Sequence, residues 1–153
     1  MEQFHQMIQE ANRYFTTADH LAYVTYPVVK EIKLTLTIAQ NLYNSMTKVI
    51  DAIILYERYY KRISPVPDEF ETKLDVLKNC LRRYNINQDY IRTYRELKMI
   101  LKSHTNSPVE FVKNNKLIIC SDSYTEINTL DIERLKKYVI DVRNFIEETR
   151  KIR

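Results

Sequence analysis

The stretch VVKEIKLTLTIAQNLYNSMTKVIDAIILYERYYKRISPVP, residues 28–67, decides the fold. Apolar side chains recur along it every three or four positions, at Ile32, Leu36, Ala39, Leu42, Tyr43, Met46, Val49, Ile50, Ile53, Tyr56 and Tyr60. That period places them on one face of an α-helix and predicts a single long helix from about Val28 to Ile63. Pro65 and Pro67 stop it, because proline has no N–H to donate and its ring clashes with the preceding turn. So long a stripe makes this helix the spine of the fold. It also leads us to expect that the helix is only half buried within one subunit and that a second copy could cover the rest.

The flanking segments repeat the helical period. Phe4, Ile8, Ala11, Phe15, Ala18 and Leu21 share one face of a helix over 3–25, which is expected to end before Pro27. Asp68 is expected to start a third helix, with Phe70, Leu74, Leu77, Cys80, Leu81 and Tyr84 inward. Asn87 is the expected N-cap of a fourth helix reaching about His104, where TNSP (105–108) breaks it. Residues 109–128 are less regular. KLIIC (116–120) has the β-branched, apolar character of one short strand or a hairpin. Thr129 is the expected cap of a last helix carrying Leu135, Val139, Val142, Phe145 and Ile146. The expected fold class is therefore all-α. It is one domain over 1–153, an antiparallel bundle of about five helices joined by short loops, with an irregular or β-hairpin insertion before the last helix.

Composition narrows the chemistry. The chain contains no glycine. A P-loop, a Rossmann fingerprint and a G-x-S-x-G elbow all need glycine's conformations or close approaches, so these are excluded. Asn-Gly hairpin turns are missing too, which argues against an all-β fold. Cys80 and Cys120 lack metal-finger spacing and read as free, buried thiols. Glu2-x-x-His5 is the one Glu-x-x-His spacing, short of the two that a di-iron bundle needs. No cofactor and no metal site is expected. No apolar run reaches the ~18 residues of a membrane span, and the N-terminus lacks the pattern of a signal peptide. A cytoplasmic protein with no membrane partner is the expectation.

Charge is concentrated in one segment. Between Arg82 and His104 stand Arg82, Arg83, Arg92, Arg95, Lys98 and Lys102, opposed by Asp89 and Glu96 alone. The segment thus carries the whole formal charge of +4. At about 100° per residue, Arg95, Lys98 and Lys102 form one stripe near Arg92, opposite a core face of Tyr90, Tyr94, Leu97, Ile100 and Leu101. Arg92, Arg95 and Lys98 are expected to face solvent. A cationic stripe beside tyrosines suits a phosphate backbone with bases free to stack, and these six cations are the candidate nucleic-acid-binding residues. His104 falls among the core residues of the wheel, where an imidazole could close the helix end by a hydrogen bond or act as a general acid or base in a cleft.

A small helical bundle with a cation upstream of a helix-terminal histidine, then an irregular loop and a final helix, resembles the HEPN superfamily. The resemblance covers the architecture of most of the chain and one motif. It implies a dimeric helical domain that binds nucleotides or cleaves RNA. The family signature is an arginine, four to six residues, and a histidine, with the arginine holding the scissile phosphate and the histidine assisting a ribose 2′-OH. Here Arg95 and His104 are separated by eight residues and Lys98 and His104 by five, so Lys98 and His104 are the candidate catalytic pair. Lysine binds phosphate as a point charge without arginine's bidentate fork, and Met99 stands where the family often has a polar residue. The expectation is a basic helical protein binding RNA or another polyanion, non-enzymatic or, if it cleaves, a metal-independent ribonuclease. The alternative is a non-enzymatic interaction module or homodimeric adaptor whose cationic face meets an acidic protein.

Overall fold

A computed structural model describes residues 2–107, 109–121 and 126–152. It is mostly helical, with five long helices and a small antiparallel sheet before the last one. The order is α1 (Glu2–His20), a π-helical turn (Leu21–Thr25), α2 (Tyr26–Val29), α3 (Leu34–Tyr59), α4 (Phe70–Arg83), α5 (Asp89–Asn106), β1 (Val109–Lys113), β2 (Lys116–Cys120), β3 (Ile127–Leu130) and α6 (Ile132–Arg150). Pro108 and residues 122–125, which belong to the expected TNSP break and the 109–128 segment, lie outside the described residues.

Helix α3 is the spine, and it is buried far beyond one face. Ile38, Ala39, Leu42, Met46, Val49, Ile50, Ala52 and Ile53 are all closed off from solvent within this one chain. The expectation that this helix is only half buried within one chain therefore fails. Its neighbours α1, α4, α5 and α6 surround it instead. Small residues bring α1 close: the Ser45 hydroxyl donates to the Ala11 carbonyl at 2.7 Å, and Phe4 meets Tyr56 at the far end, so α1 and α3 run antiparallel. Contacts between α3 and α4 ascend together, from Asp51–Lys73 at 2.8 Å to Glu57–Arg83. These two helices run in the same sense, a departure from antiparallel neighbours on short loops. The SPVP segment lies against α4 on its way back, with Ile63 and Val66 packed on the core.

The helix boundaries move for local reasons. Proline cannot accept a normal α-turn because its ring clashes with the carbonyl four residues back. The chain solves this one turn earlier with a π-turn, in which the Tyr26 N–H reaches Leu21 O, and the helix continues past Pro27 to Val29. Lys30 then takes a left-handed conformation (φ 54°) and ends it. Helix α3 stops at Tyr59, before the prolines, with Lys61 left-handed. Glu69 rather than Asp68 caps α4 by accepting from Thr72 N. Asn87 keeps a capping role one position early, accepting from Asp89 N at 2.9 Å. Asp131 caps α6 by accepting from Arg134 N at 2.8 Å, because Thr129 is drawn into β3 opposite Ile118.

The insertion is a three-stranded sheet in the order β1-β2-β3. A hairpin forms without glycine: Asn114 and Asn115 both take positive φ, as a two-residue hairpin turn requires, and asparagine tolerates that region better than most residues. Leu117, Ile119 and Leu130 fill the face toward the helices, while Asn128 Nδ2 donates to Ser103 Oγ on α5 at 2.7 Å.

Candidate functional site

The cationic segment divides when its side chains are placed. Arg83, at the end of α4, donates to Glu57 Oε2, and Glu57 is 0% exposed. Tyr84 donates to the other oxygen, Glu57 Oε1, and Arg62 Nη1 stands 3.6 Å from it. A buried carboxylate is costly unless each oxygen has a donor, and here both do. Arg83 is therefore a structural residue. Burial first, and then the bond to Glu57, push the Tyr84 hydroxyl well above its ordinary pKa. Burial also raises the neighbouring Cys80 thiol to about 11, with the Glu57 charge adding to it. Both cysteines are free and buried, as their sequence context indicates.

Two more of the six cations are engaged. Arg95 pairs with Glu71 across the α4–α5 seam, and that bond raises its pKa. Lys98 lies half-buried with its Nζ 3.4 Å from the centroid of the Phe70 ring, so it does not face solvent as expected. Arg82, Arg92 and Lys102 remain exposed and have no acidic partner among the described residues. Lys78 joins them. It is exposed, unpaired among the described residues, and shares with Arg92 and Arg95 a cleft of about 330 Å³ between α4 and α5, which Asp75 and Asp89 also line.

His104 is not among the core residues. It is half-exposed, with a 42% exposed side chain, and its Nδ1 meets Glu110 Oε1 on β1. The wheel placed it inward because it falls in line with Leu97, Ile100 and Leu101, which pack on the core. At its own level, however, the neighbour of α5 is the sheet rather than a helix. Lys98 sits over Phe70 on α4 and His104 meets Glu110 on β1, so the two members of the expected catalytic pair are engaged by different partners.

The α5–α6 seam carries polar links that the sequence did not reveal. Thr93 donates to Asp141 at 2.8 Å, and the Tyr138 hydroxyl donates to Glu96 Oε2 at 2.6 Å while accepting from Arg134 Nε. Burial, reinforced by Glu96, raises Tyr138 to about 12. Glu57 did leave a signal: it lies four residues after Ile53 and seven after Ile50, on the core stripe itself. A carboxylate at such a position calls for buried donors. No group of three His, Cys, Asp or Glu side chains that could hold a metal occurs among the described residues. Nor is any helix there long and apolar enough to cross a membrane. No family model, no curated protein and no solved structure matches the chain.

Proposed function

We propose that this chain is a basic helical-bundle protein of HEPN type that binds RNA or another polyanion and does not cleave it. The observation that carries the reading is the set of solvent-facing cations without acidic partners among the described residues, Arg82 and Arg92 near the α4–α5 connection and Lys102 ten residues along α5. Ten residues of helix span about 15 Å, a reach of several phosphates. The cleft holding Lys78 and Arg92 adds a recess beside this track. The engagement of Lys98 by Phe70 and of His104 by Glu110 favours binding over strand cleavage.

Fluorescence anisotropy with single-stranded RNA tests this across a salt series. Three phosphate contacts predict a log–log slope of roughly −2. Arg82→Ala/Arg92→Ala/Lys102→Ala should weaken binding at least tenfold with unchanged thermal stability. An unaltered affinity in that variant sinks the assignment. RNA cleavage that disappears in His104→Ala would overturn the non-catalytic reading.

A second reading, a non-enzymatic interaction module or homodimer, draws support from the sheet. Phe111, Val112 and Ile127 are exposed there, and β1 is an edge strand. Sedimentation equilibrium that changes on Phe111→Lys would favour it.

A further inference from the structure

The end of the molecule formed by α2, the hairpin turn and the start of α6 carries an apolar tip that the cationic track does not explain. Val28 is 82% exposed, the largest value among the exposed large hydrophobic residues, and Val29 is 57% exposed. Tyr23 and Val24, on the π-turn just before, are exposed as well. Single exposed valines are ordinary, but four such residues within seven positions make a patch. Their exposure is built into the backbone. The π-turn carries the helix past Pro27, and the left-handed Lys30 turns the chain sharply after Val29.

Lysines lie beside the tip. Lys30 and Lys33 follow it in sequence, and Lys30 shares a cavity of about 400 Å³ with Lys116 from the hairpin. Lys113 pairs with Lys116 across the turn, which sets a fourth lysine at the same end. The acids nearby reduce this charge without cancelling it: Asp131 caps α6 and keeps its charge, and Glu133 stands 3.9 Å from Lys136. Glu31 remains among these lysines as an exposed acid.

We infer that this end docks on an anionic lipid surface, with Val28 and Val29 entering the headgroup region and Lys30, Lys33, Lys113 and Lys116 facing the lipid phosphates. Charge complementarity selects this occupant. Two copies of the chain apposed here would bring their lysines together, and a nucleic-acid backbone offers nothing to exposed valines. An anionic bilayer takes both, since apolar insertion and attraction to acidic headgroups add in surface-bound proteins. Such docking needs no spanning helix. It departs from the expectation of no membrane partner, which hydropathy had supplied.

Co-sedimentation with phosphatidylserine–phosphatidylcholine vesicles, against phosphatidylcholine vesicles alone, tests the inference on the full chain. The wild type should bind the former and not the latter. Val28→Asp/Val29→Asp should lose binding at least tenfold, and Lys30→Ala/Lys33→Ala should weaken it about fivefold per lysine. Circular dichroism should be unchanged in each, since all four side chains are exposed. The Arg82→Ala/Arg92→Ala/Lys102→Ala variant should keep vesicle binding, which separates this surface from the polyanion track. Absence of wild-type binding overturns the inference, and so does binding that survives the aspartates. Self-association abolished by the same aspartates would give the tip to a second copy and overturn it equally.

Discussion

At each end of the segment 82–104 a basic side chain meets a carboxylate, and the two contacts differ in kind. At one end Arg83 meets a carboxylate wholly removed from water, shared with Tyr84 and approached by Arg62. At the other His104 meets Glu110 at a half-exposed edge of the sheet. The two contacts have unequal worth, because the Glu57 carboxylate is closed off from solvent while both partners of the His104 contact stay partly exposed. Position in the fold, rather than charge type, decides which cation is structural and which remains free for a ligand.

Alkaline titration should produce the largest effect and confine it to buried groups. Burial raises Cys80 from 9.0 to about 11 and Tyr138 from 10.0 to about 12, and raises Tyr84, Tyr90 and Tyr94 in the same direction. A pKa raised by folding means that the folded state holds the proton more tightly. The stabilisation is full below pH 9 and is lost as pH climbs through 9 to 12. Urea midpoints measured from pH 8 upward should fall steadily across that window, and a flat profile would contradict the burial of these groups.

Next comes Arg83→Ala, which strands the Glu57 carboxylate with Tyr84 and a distant Arg62. It should cost about 2 to 3 kcal/mol in chemical denaturation, below the roughly 3 to 5 kcal/mol of a fully buried pair because Arg83 itself is partly exposed. RNA affinity should stay near wild type at temperatures where the variant is folded, although Arg83 belongs to the cationic segment. Tyr84→Phe removes one donor from Glu57 and should cost about 1 to 2 kcal/mol. His104→Ala should change stability by less than about 1 kcal/mol, as for other exposed pairs. If His104→Ala proves as damaging as Arg83→Ala, the contrast between the two ends is wrong.

Much of the helical core was legible before any coordinates. Phe4, Ile8, Ala11, Leu74, Leu77, Leu97, Val139, Val142 and Phe145 are all buried where the three-to-four spacing places them. Periodicity works there because burial of one helix face is a local demand repeated along the chain. It does not reach the whole sheet: KLIIC (116–120) forms β2 as its β-branched run predicts, but the third strand was not foreseen. β3 has four residues, INTL, and its pairing with β2 joins segments that local pattern does not relate. The hairpin there needs no glycine, since Asn114 and Asn115 supply the positive φ.

The candidate site was legible as a list and not as an arrangement. The sequence by itself determined a mostly helical chain, its core stripes, its free cysteines and the clustering of cations between Arg82 and Lys102. Only the tertiary structure decided that Arg83 closes over Glu57, that Lys98 covers Phe70, and that His104 turns to Glu110. It also left Arg82, Arg92 and Lys102 open and set Val28 and Val29 among lysines. The reason is physical: periodicity reports the direction a side chain takes from its own helix axis. Whether water, an aromatic ring or a carboxylate waits there depends on residues far away in the chain.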